Sequence, residues 1–285
     1  MRVMIRLLSL SLCLFLLFLF VGCLGGKSQQ EENVPDSTAR NTVDEDTIYN
    51  DTIDVSVPKA ADELFDDFIF NYLGNDRVQM SRTVFPLKVT TSGEGAENTR
   101  YVKKGEWTLQ RLFMPQGYYT IICDTEEHLS LANDTTIRKV AVQRIDMQEE
   151  VVDEYLFSCH DGRWVLASIR KMSSFDAKDV SFLRFYRQFA CDEAFQLESL
   201  CNPVMFTSQD PDDDFSTMTG EIAVETWPAF APELPGDVIY NIRYADSYSD
   251  TDKRIFVLRG ISNGFETRLT FIRDGDDWKL QSLVE

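Results

Sequence analysis

The segment Phe157-Ser-Cys-His-Asp-Gly-Arg-Trp-Val-Leu166 occurs a second time, 114 residues later, as Phe271-Ile-Arg-Asp-Gly-Asp-Asp-Trp-Lys-Leu280. In both copies an Asp-Gly pair separates two runs of strand-forming residues, and a tryptophan lies near the start of the second run. Asp-Gly accepts the left-handed backbone angles of a tight turn, so each copy predicts a β-hairpin. Asn263-Gly264 predicts a further hairpin. The recurrence indicates an internal duplication.

A helical motif precedes the strands in each copy. Aromatic residues recur at the three- and four-residue spacing of one helical face: Phe65, Phe68 and Tyr72, then Phe182, Phe185 and Phe189. A glutamine, a proline and a tryptophan follow in the same order: Gln79, Pro86 and Trp107, then Gln196, Pro203 and Trp227. A helix followed by a meander of strands is an α+β pattern. The sequence therefore predicts two tandem α+β domains, over residues 60–172 and 173–285.

These landmarks resemble the nuclear transport factor 2-like (cystatin-like) superfamily. They are most similar to tandem-domain lipoproteins of unknown function of the Bacteroidetes type, over most of residues 60–285. The resemblance implies that each domain packs an N-terminal helix on a curved antiparallel sheet that encloses a cone. The superfamily includes enzymes, ligand carriers and dimerisation modules, so the fold alone does not select a function. Its enzymes typically use a His or an Asp/Tyr general base deep in the cone.

The N-terminus predicts the cellular address. Two arginines precede an apolar run over residues 7–21, and Gly22 stands immediately before Cys23. This order resembles a bacterial lipoprotein signal, in which residues 1–22 are removed and the Cys23 thiol carries the lipid. The run is shorter than the ~20 residues that a spanning helix prefers; an uncleaved anchor helix is the alternative. We expect a lipid-anchored protein of the bacterial cell envelope, at the outer membrane, with its ectodomain periplasmic or surface-exposed.

Residues 23–59 are predicted to be the lipidated N-terminus and a flexible linker, because they lack a sustained apolar period. The pair Glu31-Glu32 is either a surface-export signal or ordinary linker chemistry. Without residues 1–22 the chain has 26 Lys and Arg against 47 Asp and Glu, a net charge of −21. Such a surface repels phosphate backbones, which excludes nucleic acid as a partner. Membrane contact is therefore expected through the lipid.

Few residues suggest catalysis or a cofactor. The chain has no Gly-rich phosphate loop, no Gly-x-Ser-x-Gly and no His-Glu-x-x-His. A zinc site would need Cys123, His128, Cys159 and His160. Cys159 and His160 are adjacent, so in a regular strand they point to opposite faces and cannot both bind one ion. Acidic turns at residues 210–214 and 246–252 lack the glycine and distal glutamate of a helix-loop-helix calcium site. We expect no catalytic set, no metal and no cofactor.

The envelope permits disulfides, and Cys191 with Cys201 is the closest pair of cysteines in the folded region. The alternative for this pair is two free thiols that pack as small apolar side chains.

Four aromatic residues at related strand positions are candidates for a pocket mouth: Trp107, Tyr119, Trp227 and Tyr240. They either line a cavity or fill the core between helix and sheet. The sequence favours a non-enzymatic, lipid-anchored protein that binds or scaffolds a small molecule, a glycan, a peptide or an envelope protein. The alternative is an envelope hydrolase or isomerase with a carboxylate base in one domain cavity. A carboxylate inside a cavity, beside a neighbour able to orient it, would favour the enzyme.

Overall fold

The computed structural model describes residues 63–93, 96–175, 179–244 and 251–285. They belong to one compact unit, Val57–Glu285. The predictions for the signal, for Cys23 and for the linker concern residues outside the described ones. Among the described residues, no helix combines the length and the apolar character needed to cross a membrane.

The elements follow one order twice along the chain. The first copy comprises α1 (Phe65–Gly74), α2 (Asp76–Ser81), β1 (Thr83–Gly93), β2 (Ala96–Val102), β3 (Tyr118–Cys123), α3 (Glu126–Ser130), β4 (Lys139–Asp146), β5 (Val151–His160) and β6 (Arg163–Met172). The second comprises α4 (Val180–Cys191), α5 (Glu193–Glu198), β7 (Leu200–Asp210), β8 (Asp213–Ile222), β9 (Val238–Arg243), β10 (Lys253–Gly260), β11 (Glu266–Asp274) and β12 (Asp277–Val284). Three 3-10 turns, Lys104–Glu106, Leu131–Asn133 and Val224–Ala229, complete the set. The predicted α+β class is confirmed.

The twelve strands of the described residues form one sheet, in the order β2-β1-β6-β5-β4-β9-β3-β10-β11-β12-β7-β8. The order is symmetric when β7 to β12 are taken as the counterparts of β1 to β6. The third strands are exchanged: β9 pairs with β4 of the first copy, and β3 pairs with β10 of the second. At the centre β3 and β9 run parallel through Thr120 and Asn241. The structure therefore does not confirm two separate tandem domains.

The sheet is mixed, whereas an antiparallel one was expected. The first and last strands of each copy are neighbours and run parallel: β1 pairs with β6, and β7 pairs with β12. The predicted hairpins are confirmed: β5 and β6 pair across Asp161-Gly162, and β11 and β12 pair across Gly275. Asp161 and Gly162 have φ of 51° and 75°, the left-handed region that a two-residue hairpin turn needs.

Two hydrophobic clusters cover opposite faces of the central strands. Along β3, Tyr119 and Ile121 belong to the cluster that contains the buried residues of α1. Ile122, the residue after Ile121, belongs to the cluster that contains the buried residues of α4. Successive strand residues point to opposite faces, so α1 and α4 lie on opposite sides of the sheet. The central strands are thus buried on both faces.

The repeated landmarks make the same contacts in both copies. The Trp107 indole donates to Gln79 Oε1 at 3.3 Å, and the Trp227 indole donates to Gln196 Oε1 at 2.8 Å. The hairpin tryptophans pack edge-on against the first aromatic residue of the helical face: Trp164 on Phe65 and Trp278 on Phe182. Both prolines follow cis peptide bonds, at Phe85-Pro86 and Asn202-Pro203. The glutamine-tryptophan pair is therefore a structural unit of the repeat.

Candidate functional site

The four aromatic residues predicted at a pocket mouth belong to the core or pack against it. Tyr119 and Trp227 are buried members of the two clusters, and Trp107 and Tyr240 are partly buried against the first. Three of them also use their polar side-chain atom in a hydrogen bond: the two indoles donate to Gln79 and Gln196, and the Tyr119 hydroxyl donates to Asp66 Oδ2 at 3.1 Å. None of the four lines the pocket described next.

A pocket of about 330 Å³ lies on β4, β5 and β6, with Arg243 at the end of β9 contributing to its wall. Its floor includes Ala141 and Leu156, which are paired across β4 and β5, and Ser168, which is paired with Leu156 across β5 and β6. Val140 and Val142 on either side of Ala141 point into the cluster of α1. Alternation along β4 therefore places this floor on the opposite face of the sheet.

The lining of the pocket is cationic. It contains Lys139, Arg170 and Arg243 together with the hydroxyl residues Ser158 and Ser168, and none of its ten residues is Asp or Glu. The whole chain, in contrast, has 47 acidic against 28 basic residues. The pocket is thus a positive region in a strongly negative protein.

A buried carboxylate beneath the pocket holds the two arginines in place. Glu154 is 1% exposed; its Oε1 accepts from Arg243 Nη2 at 2.5 Å and from Gln143 Nε2 at 3.1 Å. Arg170 Nη1 lies 3.3 Å from Glu154 Oε2, an ion pair without hydrogen-bond geometry. A buried carboxylate is tolerated only when it is paired and hydrogen-bonded. Glu154 therefore holds the Arg243 guanidinium at the pocket wall through a hydrogen bond and attracts the half-exposed Arg170 guanidinium by its charge.

The network continues to the exchanged strands. Asn241 Nδ2 donates to Gln143 Oε1 at 2.8 Å, and Asn241 Oδ1 accepts from the Ile122 backbone N–H at 2.7 Å. Asn241 and Gln143 are 1% and 6% exposed, so these bonds are shielded from water. The pocket wall is consequently tied to the point where β3 and β9 meet.

The most enclosed carboxylate of the helices is Asp66, in the first turn of α1. It accepts from Tyr244 Oη at 2.5 Å through Oδ1 and from Tyr119 Oη at 3.1 Å through Oδ2. Burial raises the pKa of the Asp66 carboxyl above its ordinary value, and the hydrogen bonds from the two tyrosines oppose the rise. Burial also raises the pKa of both phenols, which keeps them as donors. Asp66 thus ties α1 to β3 and to the residue after β9.

The other residues considered for chemistry lie apart. His128 Nδ1 contacts Asp124 Oδ1, while His160 Nε2 lies 3.0 Å from the Ser158 hydroxyl. Within the described residues, no group of three or more His, Cys, Asp or Glu could hold a metal ion.

Cys191 and Cys201 both have free thiols. The possible Cys191–Cys201 disulfide is therefore not formed in this structure. Cys191 lies at the end of α4, where its sulfur approaches Gly236, whereas Cys201 lies in β7.

Lys139, Glu154, Arg170 and Arg243 were not among the site residues predicted from the sequence. The available signal was weak: on its own face of β5, Glu154 lies between the apolar residues Val152 and Leu156, where burial of a charge requires a partner. The identity of that partner depends on strand register and on the exchange of β9.

Comparison with known proteins places the chain among related sequences. A family model described as a domain of unknown function (DUF4348) matches residues 44–285. The crystal structure of an NTF2-like protein from Bacteroides fragilis NCTC 9343 is similar, with 35% sequence identity and a TM-score of 0.72. The match covers 79% of this chain and 96% of that one. No curated protein matches the chain.

Proposed function

The chain belongs to the DUF4348 family, a domain of unknown function, and has an NTF2-like solved relative; we propose that it is a non-enzymatic binding protein of the cell envelope. Its small-ligand site is the pocket on β4, β5 and β6. One observation carries the proposal: about 330 Å³ of concave space combines apolar floor residues with a few placed polar groups. Small-molecule sites in proteins have this size and composition.

The envelope location rests on the N-terminal sequence. The basic residues, the apolar run and Gly22-Cys23 resemble a lipoprotein signal, and the sequence of residues 24–59 is polar, as expected for a linker. In this proposal the lipid on Cys23 anchors the chain at the outer membrane, and the linker presents the folded part to a ligand at some distance. The acidic surface supports anchoring by lipid, since it would be repelled by anionic headgroups.

The architecture supports a refined version of the tandem prediction. We propose that residues 60–172 and 173–285 are two NTF2-like repeats that have exchanged their third strands. The symmetric strand order and the repeated glutamine-tryptophan contacts support this proposal. The exchange would hold the pocket wall, since Arg243 of the second repeat completes a pocket on strands of the first.

An envelope hydrolase or isomerase is the second candidate, and Asp66 is the observation in its favour. It is a carboxylate of raised pKa with two orienting tyrosines, as a general base would need. Both of its oxygens, however, already accept hydrogen bonds from phenols that are 1% and 4% exposed, Tyr119 and Tyr244. Such an arrangement fits a structural tie better than a base that must reach a substrate.

The proposed function is tested by filling the pocket. The lipidated full chain is purified in mild detergent and examined by native mass spectrometry for bound small molecules. The Ser168→Trp variant places an indole in the pocket, and Thr99→Trp adds the same group at an exposed site on β2 as a control. We expect a bound molecule on the wild type and on Thr99→Trp, and its loss from Ser168→Trp. A molecule retained equally by all three chains, or found on none, would contradict the proposal.

A further inference from the structure

We propose that the pocket on β4, β5 and β6 recognises an oxyanion, a carboxylate or a phosphate group, carried on a small apolar body. This inference rests on the proposed function, because it names the ligand class of the same site. It assigns a binding role to Lys139, Arg170 and Arg243.

The charge of the lining is the first argument. Lys139, Arg170 and Arg243 contribute three positive charges to the wall, and the carboxylate beneath them, Glu154, offsets one. A net positive pocket in a chain of net charge −19 is expected to concentrate anions locally and to repel cations. Neutral ligands gain nothing from this arrangement.

The geometry of Arg243 is the second argument. Its side chain is 15% exposed, and one end of the guanidinium is held by Glu154. Its Nε is buried and has no hydrogen-bond partner within the part of the chain that the structure describes. That atom is shielded from the pocket, so an incoming oxyanion would meet the part of the guanidinium that is exposed at the wall. The guanidinium fork also matches the planar oxygens of a carboxylate and those of a phosphate.

Arg170 and Lys139 extend the same wall toward solvent. The Arg170 side chain is 49% exposed, so it retains donors beyond its contact with Glu154. Lys139 is exposed on the other side, at the start of β4. Lysine presents a mobile point charge, whereas the arginines are held by Glu154. Together they give an anion a fixed contact at the base and a flexible one at the rim.

The apolar residues of the lining indicate the chemical character of the part of the ligand that carries the anionic group. Ala141 is 5% exposed, and Leu156 beside it is partly buried. Their hydrocarbon surfaces offer no hydrogen bonds, and a bare inorganic ion would leave them in contact with water. The pocket therefore fits a small molecule with an apolar or ring-shaped body and one anionic head.

The experiment uses three probes with one ring and different heads: benzoate, phenyl phosphate and benzamide, the last a neutral counterpart of benzoate. Each is titrated against the full chain in detergent by ligand-observed NMR. We expect the Kd of benzoate, of phenyl phosphate or of both to be at least about tenfold lower than that of benzamide, since one charge-assisted hydrogen bond supplies such a factor. Selectivity for benzoate would identify a carboxylate ligand, and selectivity for phenyl phosphate a phosphate ligand.

Substitutions test whether the preference for anions arises in this pocket. Lys139→Gln removes a rim charge, and Lys104→Gln removes an equal charge from an exposed 3-10 turn outside the pocket. We expect Lys139→Gln to weaken binding of the preferred anion several-fold and Lys104→Gln to leave it unchanged. Arg243→Gln should abolish the preference for anions, with folding checked by circular dichroism. Lys139 has an exposed side chain, so its variant remains informative if Arg243→Gln fails to fold.

Three results would each overturn the inference: benzamide binding as tightly as the anions, equal effects of Lys139→Gln and Lys104→Gln, or no binding by any of the three probes. In each case the proposed function is judged separately, because loss of the native ligand from Ser168→Trp does not depend on the charge of that ligand.

Discussion

Replacing Gln79 by leucine tests whether the repeated glutamine is a structural residue. Gln79 is fully buried, and its amide makes four hydrogen bonds. Nε2 donates to the carbonyls of Tyr72 at 3.2 Å and Gln110 at 2.8 Å. Oε1 accepts from the Gln110 backbone N–H at 2.6 Å and from the Trp107 indole at 3.3 Å. Leucine has a similar size and can replace none of these bonds.

The expected loss follows from the burial of the partners. A buried donor or acceptor left without a partner costs about 1–3 kcal/mol. Trp107 and Gln110 are only partly buried, so water replaces part of what their groups lose. We therefore expect Gln79→Leu to lower the free energy of unfolding by about 2–4 kcal/mol in total.

Urea denaturation of the wild type and the variant, followed by tryptophan fluorescence, measures this difference. Gln148→Leu, in an exposed turn, is the matched control and is expected to change stability by less than about 0.5 kcal/mol. A loss below about 1 kcal/mol for Gln79→Leu, or an equal loss for Gln148→Leu, would refute the reasoning. The repeated glutamine would then need another explanation.

Three further predictions concern the tether, the pocket and the pH dependence of stability. Cys23→Ser is expected to leave an unprocessed precursor without palmitate label, and normal labelling of the variant would contradict the lipid assignment. Glu154→Gln leaves Arg170 and Arg243 without their shared carboxylate. It should lower the free energy of unfolding by about 2–4 kcal/mol. Added phenyl phosphate should restore part of this loss, measured as a higher melting temperature of the variant. An unchanged melting temperature would count against the anion site. The raised pKa of Asp66 means that folding disfavours its ionised form. Its contribution to stability is therefore fully present below its ordinary pKa of 3.8 and lost as the pH rises through its folded pKa. Asp66→Asn should remove this decline in a series of unfolding curves, and parallel pH profiles for variant and wild type would contradict it.

Much of the local structure could be predicted from the residues. The Asp-Gly turns, the aromatic helical faces and the repeat of glutamine and tryptophan all correspond to contacts in the structure. These features depend on neighbouring residues along the chain, on helical spacing and on turn chemistry. The turn of the first terminal hairpin could be placed to the residue, because Asp161-Gly162 accepts positive φ angles. In the second copy Asp274 pairs with Asp277, so the turn begins at Gly275, one residue after the start of the predicted Asp-Gly pair.

The exchange of third strands could not be predicted, because the apolar pattern of a strand does not specify which strand it pairs with. The run Tyr118–Cys123 is apolar almost throughout, which indicates a strand buried on both faces. That pattern is satisfied equally beside β4 of its own copy or beside β10 of the other. Residues 103–117 and 223–237 lead into the two third strands, and their repeated tryptophans, Trp107 and Trp227, contact the glutamine of their own copy without specifying which strand the third strand pairs with.

The candidate site could not be predicted from the sequence for a related reason. Glu154, Arg170 and Arg243 lie far apart in the chain, and no spacing distinguishes Glu154 among 47 acidic residues. Their contact arises from the register of β5 with β6 and from the position of β9 next to β4. The aromatic candidates were conspicuous by type, yet aromatic residues more often fill a core.

A crystal structure of the chain with bound benzoate or phenyl phosphate tests the central claim most directly. The account predicts density for the anionic head against Arg243 and Lys139, with the ring over Ala141 and Leu156. Density for the probe at another place, with this pocket unoccupied at a concentration that saturates binding in solution, would contradict it.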